Sequence, residues 1–197
     1  MSRFEDNPEE ILEKLNTSAM MKKRFLEQRK IFLWGPVMDD SAKELVQQLF
    51  YLDAEKTGEP IHFYINSPGG AVTAGFTIMD AMDMVESPVH TICTGLAASM
   101  GSILLANGEK GHRYITKYGQ VMIHQPSLGG QYTGVATDLE IQAKQILKTK
   151  ELGAKIIADA CGQSFEKVMK DFERDYWMDA SESLEYGIVD EITEKVR

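Results

Sequence analysis

The sequence predicts an α/β domain with stacked parallel strands, and three observations carry that reading. From residue 40 onward, short β-branched and aromatic runs alternate with helical patterns. Clusters of Gly, Pro, Ser and Asn separate them. With 43% hydrophobic residues in 197, the chain has enough apolar side chains for one core.

Residues 1–30 read as a variable N-terminal segment and 31–197 as one domain. Asn7, Pro8, Glu9 and Glu10 have the order of an N-cap, a proline at N1 and first-turn acids, so a short helix is expected there. The basic run Lys22-Lys23-Arg24 reads as a solvated face ahead of a strand at Ile31-Phe32-Leu33-Trp34. Ser41-Ala42-Lys43-Glu44 has the spacing of a capping box and opens a helix to about residue 56. His62 to Ile65 reads as a strand, ended by Asn66-Ser67-Pro68-Gly69-Gly70. A helix over 73–86 follows, then a strand over 89–94, a small-residue turn at Gly95-Leu96-Ala97-Ala98, and a helix from near Ser99. Tyr114-Ile115 and Val121-Met122-Ile123 read as two further strands.

The longest helical pattern runs from Ala136 to Cys161. At 1.5 Å per residue it spans roughly 37 Å, against a radius of gyration of about 16 Å for a domain this size. Leu139, Ala143, Ile146, Ala154 and Ile157 share one side, while Ile141, Leu152 and Ile156 fall nearly opposite. Two apolar stripes fit a projecting helix that packs on another subunit, and they equally fit a central helix sandwiched in its own domain.

Composition excludes several functions. A net charge of -9 is wrong for a nucleic-acid surface. Cys93 and Cys161 read as small buried hydrophobes and form no disulfide framework. No H-E-x-x-H, G-K-[ST] or G-x-G-x-x-G motif is present, so neither a metal nor a nucleotide cofactor is expected. The acidic start lacks an apolar signal region, and no apolar run nears the ~18 residues of a membrane span, so a cytoplasmic protein is expected.

Three places have chemistry-bearing patterns. Ser99 stands at a strand-to-helix turn among Ala97, Ala98 and Gly101, where a tight turn exposes Oγ and a helix N-terminus favours negative charge. The same turn also suits plain helix capping. Ser67-Pro68-Gly69-Gly70 suits an oxyanion hole of backbone N–H groups, or an ordinary turn. Of the four histidines, His62 and His90 lie at strand starts and His112 in a charged loop. His124 ends an apolar strand just before Gln125-Pro126, a suitable place for a base. Asp175 is one of twelve aspartates; it would orient such a base, with Tyr176 and Trp177 shielding the pair from water.

Taken together, several blocks resemble the Clp protease proteolytic subunit family. They are Tyr64-Ile-Asn-Ser-Pro-Gly-Gly70, Gly95-Leu-Ala-Ala-Ser99-Met-Gly, Met122-Ile-His124-Gln-Pro, Glu173-Arg-Asp175, Gly134-x-Ala136-Thr-Asp138, Ile146-Leu-Lys-Thr-Lys150 and Glu185-Tyr-Gly-Ile-Val-Asp190. The likeness runs from about residue 30 to 192. It implies a crotonase-like fold of repeated β-β-α units with a protruding handle at about 127–161. It also implies a serine endopeptidase with Ser99 as nucleophile, His124 as base and Asp175 as its orienting acid. The oxyanion hole would be the N–H groups of Gly70 and Met100, and extended substrate would pair with Leu128, Gly129 and Gly130. The partners implied are copies of the chain in two stacked seven-membered rings, an AAA+ unfoldase ATPase and polypeptide substrates, without nucleic acid or membrane. The unfoldase would dock in a pocket of His62, Tyr64, Met84, Ile92 and Tyr114.

The sequence also departs from that family. Residues 1–25 lack the usual pore-loop stretch, the chain between His124 and Ala136 is about two residues longer, and the docking positions include the polar His62, Thr94 and Thr116. These departures suggest a divergent paralogue. Two other readings follow: a crotonase-fold acyl-CoA enzyme, and a ring-forming structural or regulatory paralogue that needs a second isoform for activity.

Overall fold

The computed structural model describes residues 8–127 and 134–195. Its elements in order are α1 (Pro8–Glu27), β1 (Lys30–Trp34), α2 (Asp39–Glu55), β2 (Ile61–Ser67), α3 (Val72–Met84), β3 (Val89–Ala98), α4 (Met100–Ala106), β4 (Arg113–Thr116) and β5 (Gln120–Ile123). Then follow α5 (Ala136–Cys161), α6 (Phe165–Asp171), β6 (Tyr176–Met178), α7 (Ala180–Tyr186) and β7 (Glu191–Thr193). The expected mixed α/β architecture is present, with β1-β2-β3-β4-β7 in parallel order.

β3 is the spine of the sheet. It pairs with β2 on one side, and on the other its first half pairs with β4 while its last three residues, Leu96 to Ala98, pair with β5. A β-bulge makes the change: Ile65 faces Cys93, but Ser67 faces Ala97, so β3 inserts two extra residues around Gly95. The stretch Gly95 to Ala98, expected as a turn, is therefore strand, because β5 supplies a second partner. β6 closes this arm antiparallel to β5.

Alternation decides which face of the sheet is dry. Ile31, Leu33, Phe63, Ile65, Cys93 and Ile115 are buried and join Leu45, Leu49, Ile78, Leu104 and Leu105 of the helices in one core. The other face has rows in register: Lys30, His62 and His90, then Phe32, Tyr64, Ile92 and Tyr114. That face is only partly covered, whereas parallel sheets normally have both faces packed.

Several local expectations change. The N-terminal helix is not short: α1 has 20 residues and takes in the basic run, while Asn7 lies outside the described residues. The C-terminal end of α1 packs on the sheet, since Phe25 meets the Phe32 ring edge-on at 4.8 Å, and just after it the Arg29 guanidinium donates to the carbonyls of Leu52, Glu59 and Pro60. The capping position of α2 is Met38, not Ser41; Ser41 is the third helical residue, and its Oγ accepts from the Met38 N–H at 2.9 Å. α3 stops at Met84, two residues early, because Pro88 disfavours helical geometry just before it. Cys93 is buried and Cys161 half-buried, and burial pushes both thiols up to about 12.

α5 has the expected bounds. Its C-terminal half buries Gly153, Ala154, Ile157 and Ala158, whereas Leu139, Ile141, Leu147 and Leu152 are exposed. The helix is thus packed at one end and projecting at the other. Its packed end is anchored where Arg113 donates to the Ala160 carbonyl at 3.0 Å while chelating Asp190 at 2.6 and 2.8 Å. No helix among the described residues is long and apolar enough to cross a membrane.

Candidate active site

The register of the strands brings three distant residues together. Ala98 of β3 faces Met122 of β5, so Ser99 and His124, just beyond those strand ends, become neighbours. β5 and β6 run antiparallel with Ile123 opposite Tyr176, and one further step sets His124 opposite Asp175. The side chains meet accordingly: His124 Nε2 lies 2.8 Å from Ser99 Oγ, and His124 Nδ1 lies 3.0 Å from Asp175 Oδ1. With the proton on Nδ1 donated to Asp175, Nε2 is left to accept from the serine hydroxyl. This is the arrangement in which an imidazole takes a proton from an attacking oxygen.

Ser99 is strained in a way that serves exposure. It has φ 54° and ψ -122° and is one of two non-glycine residues with positive φ among those described. Such a conformation costs on the order of 1–3 kcal/mol and persists only when neighbours over-determine it. Here the Ser99 N–H donates to the Met122 carbonyl at 2.8 Å, and its carbonyl accepts from the Ser102 N–H at 2.9 Å and Ser102 Oγ at 2.6 Å. The serine is therefore a hinge between β3 and α4 with its Oγ turned to the histidine, and no side-chain cap bond competes for it.

The Ser67–Gly70 turn packs directly on this hinge. The Gly69 N–H donates to Ser67 Oγ at 3.1 Å, and a Cβ on Gly69 would lie 2.7 Å from Ser99 Cβ and 2.9 Å from the Met100 nitrogen. Gly70 is pressed against Val37, whose carbonyl a Cβ would strike at 2.2 Å. The peptide N–H groups of Gly70 and Met100 donate to no group among the described residues, as an oxyanion hole requires. The double glycine Gly69-Gly70 marks this turn in the sequence, whereas nothing in the sequence marks the bonds that Ser102 makes to the hinge.

An apolar cavity opens beside the serine. Val72, Phe76, Ile103, Thr149, Gly153 and Phe172 line it with Ser99 and His124. The packed end of α5 thus forms a wall of the site. The expected shielding of the pair is absent in the isolated chain: the Asp175 side chain is 59% exposed, and Tyr176 and Trp177 are 39% and 51% exposed. Among the described residues β6 pairs only with β5 and is an edge of the sheet. Leu128, Gly129 and Gly130 lie outside the described residues.

Of the expected docking positions, His62, Tyr64, Ile92 and Tyr114 lie in the register rows of the half-covered face, whereas Met84 ends α3. Tyr64 stacks on Phe32 at 5.1 Å and Met84 is 71% exposed, but Ile92 has no exposed surface and sits in register between Tyr64 and Tyr114. His62 is not an isolated strand-start residue. It meets His90 at 5.4 Å, and His90 stacks on His112 at 4.1 Å with planes 4° apart.

A family model described as Clp protease matches residues 13–196. The chain is 47% identical over 173 residues to the ATP-dependent Clp protease proteolytic subunit 1 of Chlamydia muridarum (strain MoPn / Nigg), covering 88% of this chain and 90% of that protein. It matches proteins of the same name from Chlamydia trachomatis serovar D and serovar A to the same extent. With its hydrogen-bonded serine, histidine and aspartate and a match spanning most of its length, the chain belongs to the Clp protease family.

Proposed function

We propose that this chain is the serine endopeptidase subunit of an ATP-dependent Clp protease and that Ser99, His124 and Asp175 are its catalytic triad. The observation that carries the reading is the continuous hydrogen-bonded series from Ser99 Oγ through His124 to Asp175. Ser99 Oγ attacks the scissile carbonyl as His124 Nε2 takes its proton. The oxyanion accepts hydrogen bonds from the N–H groups of Gly70 and Met100, and His124 then protonates the leaving amine. Water, activated by the same imidazole, releases the acyl group from Ser99. Asp175 holds the Nδ1–H tautomer and stabilises the imidazolium. Residues 31–197 act as one peptidase domain with a handle at about 127–161. Leu128, Gly129 and Gly130 pair with extended substrate through backbone bonds, giving affinity with little sequence preference.

Family membership implies an oligomer and an ATP-dependent partner. The assembly we propose is two stacked seven-membered rings of this chain, or of this chain with a second isoform, in the cytoplasm. The projecting, apolar half of α5 supports a ring-to-ring contact. The half-covered row Phe32, Tyr64 and Tyr114, with Ile92 as its floor and His62 in the neighbouring row, supports the docking of an AAA+ unfoldase, and so does the exposed Met84 at the end of α3. The intact series of three side chains favours an active peptidase over an idle ring subunit, and the family match favours it over an acyl-CoA enzyme.

A fluorophosphonate probe tests the chemistry on the assembled particle. It is expected to label Ser99, and both Ser99→Ala and His124→Ala are expected to remove labelling and peptide cleavage together, since a triad acts as a unit. Labelling that persists in Ser99→Ala would overturn the assignment.

A further inference from the structure

We infer that Gln125 is a positioning residue for the triad, clamping the segment that carries Asp175 to the strand that carries His124; the inference rests on the triad proposed above. Asp175 has no hydrogen-bond partner besides His124 among the described residues, and its side chain is mostly exposed. A carboxylate so free in solvent is not held in place by its own contacts. Its placement depends on the main chain on either side.

On the C-terminal side, Tyr176 is paired with Ile123 through the β5–β6 ladder. On the N-terminal side, the ladder has ended. There Gln125 makes two bonds: its backbone N–H donates to the Phe172 carbonyl at 2.9 Å, and its side-chain Nε2 donates to the Glu173 carbonyl at 3.0 Å. Phe172 is buried in the core, so the first bond ties Gln125 to a fixed point. The second holds the peptide only two residues before Asp175. Base and acid are therefore tied together at both flanks, and on the flank not made by strand pairing the bond nearest Asp175 comes from the Gln125 side-chain amide. A carbonyl oxygen must be met by a donor, which glutamine supplies and a glutamate carboxylate does not.

Peptide hydrolysis by the assembled particle distinguishes a positioning role from a structural one. Gln125→Ala and Gln125→Glu are both expected to lower kcat about tenfold to a hundredfold, the scale of loss for misplaced catalytic groups. KM, native mass and Tm should be unchanged. In an Asp175→Asn background, Gln125→Ala is expected to cost less than about twofold, because the clamp then has no carboxylate to place. Full kcat in both Gln125 variants, or equal fold-losses in the two backgrounds, overturns the inference. A fall in native mass in both variants also overturns it and assigns Gln125 to assembly. Ser99→Ala run alongside separates the cases: if that variant stays active the triad itself fails, and if it is inactive while the Gln125 variants are normal, only the clamp fails.

Discussion

A Cβ on Gly69 would stand 2.7 Å from the Cβ of Ser99, closer than real Cβ atoms approach one another. Gly69 also has φ +89°, a conformation that costs an L side chain energy regardless of space. The turn after β2 and the hinge after β3 are thus in contact where Gly69 has no side chain. Gly69→Ala is expected to push the Ser99–Met100 peptide away and misdirect the Met100 N–H. Losing one oxyanion donor costs on the order of 10²–10³ in kcat, so hydrolysis and probe labelling should fall by that scale or more. Measuring labelling rate and Tm together checks this, and a variant with normal labelling would show that the turn yields without disturbing the serine.

The exposed apolar face of α5 carries the next prediction. Leu147 and Leu152 are 58% and 47% exposed in the isolated chain, so an aspartate at either leaves the protomer core untouched. Within a contact between rings the same carboxylate would be desolvated without a partner. Leu147→Asp and Leu152→Asp are expected to halve the native mass to single rings or less, with Tm of the protomer nearly unchanged. Since the other face of the same turns of α5 walls the site at Thr149 and Gly153, peptidase activity should fall with the mass. Intact double rings in both variants would place the ring contact elsewhere.

These features were legible in the sequence to different degrees, and the difference has physical causes. Ser99 and His124 stand where a strand stops, and small or turn-forming neighbours mark such places. The bounds of α5 were read correctly because a 26-residue helix repeats its pattern many times. The contact between Ser99, His124 and Asp175 was not legible from local pattern. It follows from β3 changing partner at Gly95, and a glycine inside a strand reads as its end. Only the family resemblance singled out Asp175 among the aspartates. β6 and β7 have three residues each, too few for a period of two to show. The helices α6 and α7 were overlooked although Ser164 and Asp179 cap them, Asp179 in a full capping box with Glu182.

The histidine stack makes stability depend on pH. Burial, and then the charges of His112 and His62, hold His90 down to about 4. His62 is also lowered, by burial first and then by Lys30 and Arg29. In the unfolded chain both titrate near 6.5. The fold therefore keeps them neutral, and the unfolded state takes up more protons as pH falls through that range. Their contribution is complete above about pH 6.5 and is lost progressively towards pH 4. Calorimetric Tm values at pH 7.5, 6 and 5 should fall more steeply for the wild type than for His90→Asn, in which carboxylate effects are the same and cancel. Parallel curves would show that this stack carries no linkage.

Docking of the unfoldase yields the last prediction. The half-covered face offers rings at Phe32, Tyr64 and Tyr114, but the flanking positions are His62, Thr94 and Thr116. His62 Nδ1 is buried without a hydrogen-bond partner among the described residues. A partner loop laid over this row would gain apolar area from the rings and would further desolvate an imidazole whose Nδ1 has no partner among the described residues. Replacing His62 by Phe and Thr94 and Thr116 by Leu reverses that balance. Each change that adds roughly 50 Å² of buried apolar area contributes on the order of 1 kcal/mol, about fivefold in affinity. ATP-dependent degradation of a tagged folded protein, measured with the unfoldase well below saturation, should rise severalfold per substitution. Peptide hydrolysis, which needs no docking, should stay constant. A mixed particle with one ring from an isoform that has apolar residues at these positions should match the substituted particle. Degradation that is unchanged in the triple variant would mean that the partner does not bind over this row.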